Sequence, residues 1–145
     1  MTRDRNSDAA VAKLLKDVQT IAVVGASDRP NRPSYEVMQS LIDHGYTVYP
    51  VNPLLAGQMI LGRETYATLA DVPAPVDMVD VFRNARDALG VVRQAIDLKD
   101  SLSIKAVWLQ LGIVNDTAMD DAEAAGLIGV MDRCPKIEFT RRPGR

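Results

Sequence analysis

Residues 20–34 read TIAVVGASDRPNRPS, and this segment decides the fold. The run at 20–24 is short, apolar and rich in β-branched side chains, which is typical of a buried strand. A polar loop begins at Gly25, and Pro33 is suited to the first turn of the helix that follows. This order predicts the first strand–loop–helix unit of a Rossmann-like fold, in which the helix N-terminus offers free N–H groups to a phosphate.

The rest of the chain continues this alternation of strands and helices. Apolar runs predict further strands at 47–51, 57–62, 78–82, 105–110 and 127–131. Helical spacing and capping residues predict helices at 7–18, 33–44 and 66–70, a helix that begins at Asn84, and one over 115–126. Alternating strands and helices with short connections are typical of a parallel sheet covered on both faces.

The predicted fold class is therefore α/β: a Rossmann-like, doubly wound, mainly parallel sheet of five to six strands with helices on both faces. We expect a single domain over residues 1–145, because no repeat or low-complexity linker interrupts the chain. The polar ends at 1–6 and 140–145 are expected to be flexible tails.

Composition excludes several classes of partner. The net charge of −2 gives no overall basic field, so neither nucleic acid nor an anionic membrane surface is an expected partner. No apolar stretch approaches the ~20 residues of a membrane-spanning helix. The polar N-terminus is unlike a secretory signal, and the single cysteine cannot form an intrachain disulfide. A cytoplasmic protein is the simplest expectation.

The candidate site lies where the predicted strands end. In a doubly wound sheet the ligand binds outside the carboxyl ends of the strands, and the residues there are polar, charged or small. The candidate binding residues share this position: Gly25, Ala26, Ser27, Arg29, Arg32, Pro33, Ser34, Val51, Asn52, Pro53, Phe82, Arg83, Gln110 and Gly112. Guanidinium groups at 29 and 32 can neutralise phosphate oxygens, so the loop favours a phosphate-bearing ligand. A solvated loop position remains an alternative for both.

Several features argue against NAD in its usual pose. The G-x-G-x-x-G fingerprint is absent, since Gly25 is the only glycine of the first loop. The second strand ends at Val51-Asn52-Pro53, without the acid that would bond the ribose of NAD. Asn52 is either a contact to adenine or ribose, or part of a plain Asn-Pro turn. The arginines keep NADP open as an alternative. Arg83 has two possible partners, a ligand phosphate or an internal carboxylate such as Asp80.

Few residues suggest catalysis. His44 is the only histidine and Cys134 the only cysteine, so the chain cannot build a zinc site from them alone. His44 is expected at the end of a helix, away from the site. Cys134 follows a predicted strand beside basic residues, so a reactive thiol at the rim of the site is an alternative hypothesis. Asp80 and Asp132 are possible acids or bases that nothing in the spacing selects. We therefore predict no catalytic or metal-ligating residue.

Six segments in order carry a resemblance to a known family: Val24–Ser27, Asn31–Ser34, Gly45–Pro53, Val79–Arg83, Trp108–Gly112 and Asp132–Lys136. Through them the chain resembles the CoA-binding-domain family of small stand-alone proteins that includes the bacterial YccU-type proteins. It is also similar to the CoA-binding domain of succinyl-CoA synthetase α subunits and of ADP-forming acyl-CoA synthetases. The resemblance implies a Rossmann-like domain with coenzyme A as its ligand.

The resemblance also implies a placement for the ligand. The loop at 25–27 and Arg32 would face the phosphates, the segments at 51–53 and 82–83 would flank the adenosine, and the segment at 110–112 would lie nearer the pantetheine. The synthetases carry a phosphorylated histidine in a further domain, and this chain has no equivalent. The expected function is thus binding of coenzyme A or acyl-CoA without catalytic machinery of its own. The alternatives are an NAD(P)-binding oxidoreductase and a CoA-dependent enzyme in which Cys134 or Asp132 takes part, alone or with a partner subunit.

Overall fold

A computed structural model describes residues 7–141. Its strands are β1 Thr20–Val24, β2 Thr47–Val51, β3 Met59–Ile60, β4 Arg63–Glu64, β5 Met78–Val81, β6 Ala106–Leu109 and β7 Ile128–Val130. Five of them form a parallel sheet in the order β2-β1-β5-β6-β7, and a separate antiparallel pair joins β3 to β4. The three inner strands are apolar almost throughout and buried along their length, as expected for a sheet covered on both faces.

Helices cover both faces of this sheet. They are α1 Asp8–Asp17, α2 Pro33–Asp43, α3 Ala85–Asp97, α4 Lys99–Leu102, α5 Asp116–Ala124 and α6 Pro135–Arg141. One apolar core lies between the sheet and α1, α2 and α6, and a second lies between the sheet and α3, α4 and α5. The predicted α/β, doubly wound architecture is confirmed, with five strands in the main sheet.

The strand predicted at 57–62 is wrong as a member of the main sheet. Only Met59–Ile60 is extended, and it pairs with Arg63–Glu64 in a short hairpin. Leu61 and Gly62 both have positive φ, at 50° and 77°, as the two central residues of a type I′ hairpin turn require. The turn reverses the chain after two residues, so the segment cannot continue as a sheet strand.

Two other predictions along the chain need correction, and one helix was missed. The helix predicted at 66–70 is instead an extended bridge from Tyr66 to Val51, followed by a 3-10 turn at Leu69–Asp71. The helix α6 was not predicted, and Thr140 and Arg141 belong to it rather than to a tail. The remaining predicted tail residues, at 1–6 and 142–145, lie outside the described residues.

Aromatic packing explains why α6 forms. Its buried Phe139 stacks on the His44 ring at the end of α2, with 4.0 Å between ring centroids, and also packs near Tyr46. The apolar content of α6 is too low for sequence periodicity to reveal it. Tertiary contacts with α2 therefore stabilise this helix.

The order of the strands creates a crevice between β1 and β5. The chain passes from β1 to β2 on one side and later returns to place β5 on the other side of β1. The loops that follow β1 and β5 therefore leave the sheet in opposite directions. Gly25 is in the first of these loops with φ +90°, and a Cβ there would lie 2.5 Å from the carbonyl oxygen of Phe82. Only glycine allows this approach.

We predict that Gly25→Ala destabilises the fold more than Gly45→Ala. Both glycines have φ +90°, but a Cβ at Gly45 would meet no atom within 4 Å. The change at Gly45 should therefore cost only the conformational strain, about 1–2 kcal/mol. The change at Gly25 adds the clash with Phe82. Urea-induced unfolding of the two variants measures the difference, and equal losses of stability would show that the contact with Phe82 is unimportant.

Candidate functional site

A cavity of about 600 Å³ opens at the carboxyl ends of the strands, above the crevice between β1 and β5. It is lined by Gly25, Ala26, Ser27, Asp28, Arg29, Arg32, Pro33, Ser34, Asn52, Leu54, Leu55, Phe82, Arg83, Asn84, Gln110, Leu111 and Ile113. The structure therefore brings together all the sequence-predicted binding residues except Val51, Pro53 and Gly112.

The three exceptions lie close to the cavity. Val51 and Pro53 line an adjoining pocket that shares Asn52 and Phe82 with the first. Gly112 lines neither of these two pockets, and its N–H donates to Asp132 Oδ1 at 2.7 Å. That bond ties the loop after β6 to the end of β7. Asp132 therefore helps to hold the loop after β6 in place.

The N-terminus of α2 faces the cavity with open N–H groups. Arg32 is the N-cap and has no side-chain bond to the first turn, and Pro33 has no N–H to satisfy. The N–H groups of Ser34 and Tyr35 find no acceptor within residues 7–141. The positive end of the α2 dipole lies at the same terminus and also attracts negative charge. Such a terminus is suited to an anion such as phosphate.

Arginine side chains add positive charge to the rim. Within the described part of the chain, Arg29 and Arg32 form no ion pair, and both are exposed. Arg83 pairs with Asp87 at 3.2 Å, so its internal partner is not Asp80. These three guanidinium groups outweigh Asp28, the acid in the cavity lining. The rim is locally positive although the whole chain is slightly negative.

Asn52 shapes the site from within. Its Nδ2 donates to the carbonyl of Ala26 at 2.8 Å, and its Oδ1 accepts the N–H of Leu54. The N–H groups of Gly25 and Ala26 both donate to the carbonyl of Val51. These bonds hold the β1 loop against the end of β2. They also commit those two backbone donors and one of the two Nδ2 hydrogens of Asn52 to the protein itself rather than to a ligand.

Two buried polar side chains, Asp80 and Gln110, lie on the α2 side of the sheet, and Gln110 also lines the cavity. Neither carboxyl oxygen of Asp80 has a hydrogen-bond partner, and Gln110 Oε1 has none either. Burial raises the pKa of the Asp80 carboxyl well above its ordinary value of 3.8, which favours the neutral acid. The sequence signal for Asp80 was an acid within the otherwise apolar strand at 78–82.

The residues weighed for catalysis lie elsewhere. Cys134 is buried in the core that contains α2 and α6 and does not line the cavity, so its placement at the rim was wrong. His44 also lies outside the cavity lining, with Nδ1 2.7 Å from the carbonyl oxygen of Ser40. Over residues 7–141, no cluster of three His, Cys, Asp or Glu side chains is arranged to hold a metal ion. Nor does any helix in that range have the length and apolarity to cross a membrane.

Apolar side chains flank the mouth of the cavity. Leu54 follows β2 and is 87% exposed, and Leu111 follows β6 and is 55% exposed. Because β1 and β5 lie between β2 and β6, the two leucines are on opposite sides of the crevice. The site thus combines a positive end at α2 with apolar surface on both flanks.

Comparison with known proteins supplies a family. A sequence model described as a CoA binding domain matches residues 19–140. The uncharacterized protein YneT of Bacillus subtilis is 34% identical over 131 residues, which cover 90% of this chain and 93% of YneT. The α subunit of the ADP-forming acetate–CoA ligase I of Pyrococcus furiosus is 38% identical over 73 residues, but the match spans only 16% of that subunit.

A solved structure agrees over the whole chain. The hypothetical protein from Pyrococcus horikoshii OT3 superposes with a TM-score of 0.86 at 38% identity, covering 99% of both chains. A dinucleotide-forming acetyl-coenzyme A synthetase of Ca. Korarchaeum cryptofilum superposes with a TM-score of 0.63 at 24% identity, which bears on the fold alone.

We predict that Asp80→Asn makes the protein increasingly more stable than wild type as the pH rises. Because the pKa of Asp80 is higher in the folded state, the native protein binds more protons than the unfolded chain between the two pKa values. Wild-type stability therefore falls from about pH 4 up to the folded-state pKa, by at most about 1.4 kcal/mol per pH unit from this group. The side-chain amide of the Asp80→Asn variant cannot ionise, so the variant does not lose stability in this way.

Urea-induced unfolding across this pH range measures the effect. Asp28→Asn removes an exposed carboxyl from the cavity lining and controls for the change in net charge. A stability difference between wild type and Asp80→Asn that stays constant with pH would contradict the raised pKa.

Proposed function

Because the chain belongs to the CoA-binding domain family, we propose that it binds coenzyme A or an acyl-CoA in the cavity above β1 and β5. The observation that carries this proposal is the open N-terminus of α2, whose Ser34 and Tyr35 N–H groups lack acceptors among the described residues. The chain acts in this proposal as a single binding domain over residues 1–145, with no catalytic machinery of its own.

The charges of coenzyme A fit the positive rim. The ligand carries a pyrophosphate and a phosphomonoester, the latter with about −1.5 to −2 charges at neutral pH. In this proposal the pyrophosphate meets the N–H groups of Ser34 and Tyr35 together with Arg32. Arg29 and Arg83 lie along the same rim and supply charge for the remaining phosphate. Charge-assisted bonds of this kind are stronger than neutral ones.

The rest of the ligand follows the flanks of the site. The adenosine lies between the segment at 51–53 and Phe82, which together line the pocket adjoining the main cavity. The pantetheine arm then runs toward Gln110, between apolar surface on either side. Asn52 supports this placement by holding the loop at 25–27, rather than by bonding the ribose.

The same features disfavour the alternatives. A nicotinamide cofactor requires a partner for its ribose after β2, where Asn52 is already bonded to the backbone and no acid is present. No histidine or cysteine is among the described residues that line the cavity, which disfavours an enzyme that uses Cys134. The ligase relative matches over a small part of its length, so ligase activity is not carried over to this chain.

Calorimetric titration tests the proposal. Coenzyme A is expected to bind with a defined stoichiometry, and NADPH in a parallel titration is expected to bind more weakly or not at all. Raising the salt concentration should weaken the binding of coenzyme A, because exposed arginines supply the attraction. Tighter binding of NADPH than of coenzyme A would instead support the oxidoreductase reading.

We predict that Arg32→Ala weakens the binding of coenzyme A by about tenfold, through loss of a charge-assisted bond to phosphate. Arg32 is exposed and forms no ion pair within residues 7–141, so the fold should keep its thermal stability. Arg93→Ala is a matched control, since Arg93 pairs with Asp121 away from the cavity. Unchanged affinity in Arg32→Ala, or equal losses in both variants, would place the phosphate elsewhere.

A further inference from the structure

Asp80 and Gln110 are two polar side chains that the binding proposal leaves without an explanation for their burial. Asp80 is fully buried in the middle of β5, and Gln110, directly after β6, is 6% exposed. Neither oxygen of the carboxyl has a partner, and the amide oxygen of Gln110 has none. Burial without a partner costs about 1–3 kcal/mol for each such group. Gln110 lines the cavity, so the cost falls beside the site.

The sheet register makes the two side chains diagonal neighbours on one face of the sheet. Asp80 is opposite Trp108 on the neighbouring strand, and Gln110 is two residues further along that strand. Successive residues alternate between faces, so Asp80 and Gln110 both face the α2 side. Strand spacing and rise per residue put their Cα atoms about 8 Å apart. Both side chains reach toward each other over that distance after rotation about their own torsions.

Their chemistry is complementary when Asp80 is a neutral acid. A carboxylic acid has one O–H donor, whereas the Gln110 oxygen is an acceptor only. The neighbours of Asp80 across the sheet, Val23 and Trp108, offer it no charge, and the Trp108 Nε1–H donates to the carbonyl of Arg133. The buried side chains of α1 and α2 are apolar apart from Ser34.

Other titratable groups in the same core have partners of their own or carry no positive charge. Glu138 of α6 is paired with Arg133 at 3.1 Å. The hydroxyl of Tyr46 donates to the carbonyl of Leu15. Cys134 is a buried thiol. Gln110 Oε1 has no partner of its own and is therefore an acceptor that a neutral Asp80 can serve.

We propose that Asp80 is a positioning residue, whose carboxylic acid donates to Gln110 Oε1 and holds the Gln110 amide with its Nε2–H donors toward the cavity. The ligand-binding part of this inference rests on the proposed function. Gln110 then presents a donor to an acceptor on the ligand, namely a carbonyl oxygen of the acyl–pantetheine arm. That oxygen belongs either to a pantetheine amide or to the thioester of an acyl-CoA. Without Asp80 the amide is free to turn over and present its own oxygen instead.

Two substitutions at one position separate positioning from folding. Asp80→Leu removes the donor and leaves an apolar side chain in an apolar core, whereas Asp80→Asn keeps a donor in its amide group. We expect Asp80→Leu to bind coenzyme A about tenfold more weakly while unfolding at a temperature no lower than wild type. Asp80→Asn should bind within about twofold of wild type. These magnitudes correspond to the loss and the retention of one hydrogen bond.

The choice of ligand identifies the carbonyl that Gln110 contacts. The loss in Asp80→Leu is expected with coenzyme A and with acetyl-CoA if the contact is a pantetheine amide, and with acetyl-CoA alone if it is the thioester. Undiminished binding of both ligands by Asp80→Leu would overturn the proposal. Equal weakening in the Leu and Asn variants would also overturn it, since the donor would then be irrelevant.

A measurement without ligand keeps this inference separate from the binding proposal. In the free protein, the Gln110 side-chain amide resonances in a ¹H–¹⁵N spectrum should shift in Asp80→Leu and return toward the wild-type positions in Asp80→Asn. Resonances that do not respond to either variant would refute the contact between the two side chains. Absence of coenzyme A binding in wild type would refute the proposed function. The Gln110 resonances would still show whether Asp80 and Gln110 are in contact.

Discussion

The close approach of the β1 loop to the end of β5 is the constraint on which the site depends. A side chain on Gly25 would collide with the carbonyl oxygen of Phe82, so the absence of one lets the two strand ends lie together. Asn52 then binds the Ala26 carbonyl from the other side. The loop is thereby fixed between β2 and β5 and delivers the chain to the N-terminus of α2. This path of the chain places the cavity, the arginines at its rim and the open N-terminus of α2 together.

The candidate binding surface combines main-chain donors and charged side chains with apolar flanks. The donors of α2 are main-chain N–H groups, and the arginines stand at the rim without internal partners within residues 7–141, apart from Arg83. Such a site is suited to an extended, anionic ligand. Asp80 and Gln110 are the exception, because their burial has a cost that packing does not explain.

Sequence patterns predicted the parallel sheet well because each inner strand is a short apolar run bounded by polar loops. They also predicted most of the candidate residues that line the cavity, because the carboxyl ends of parallel strands meet at the same edge of the sheet. The hairpin at 59–64 was missed because its turn needs positive φ at Leu61, which periodicity cannot reveal. Cys134 was misplaced because proximity to a strand end does not determine whether a side chain faces the core. The internal role of Asn52 depends on a contact with Ala26, far away in sequence.

Mapping of coenzyme A by NMR tests the central claim most directly. In a ¹H–¹⁵N titration, the account predicts that the largest shifts fall on the backbone amides of Ser27, Ser34 and Tyr35, with smaller ones at Phe82 and Gln110. The His44 end of α2 and the β7 edge should remain unchanged. Shifts concentrated at either of those regions, with the amides at 34–35 unaffected, would contradict a phosphate site at the N-terminus of α2.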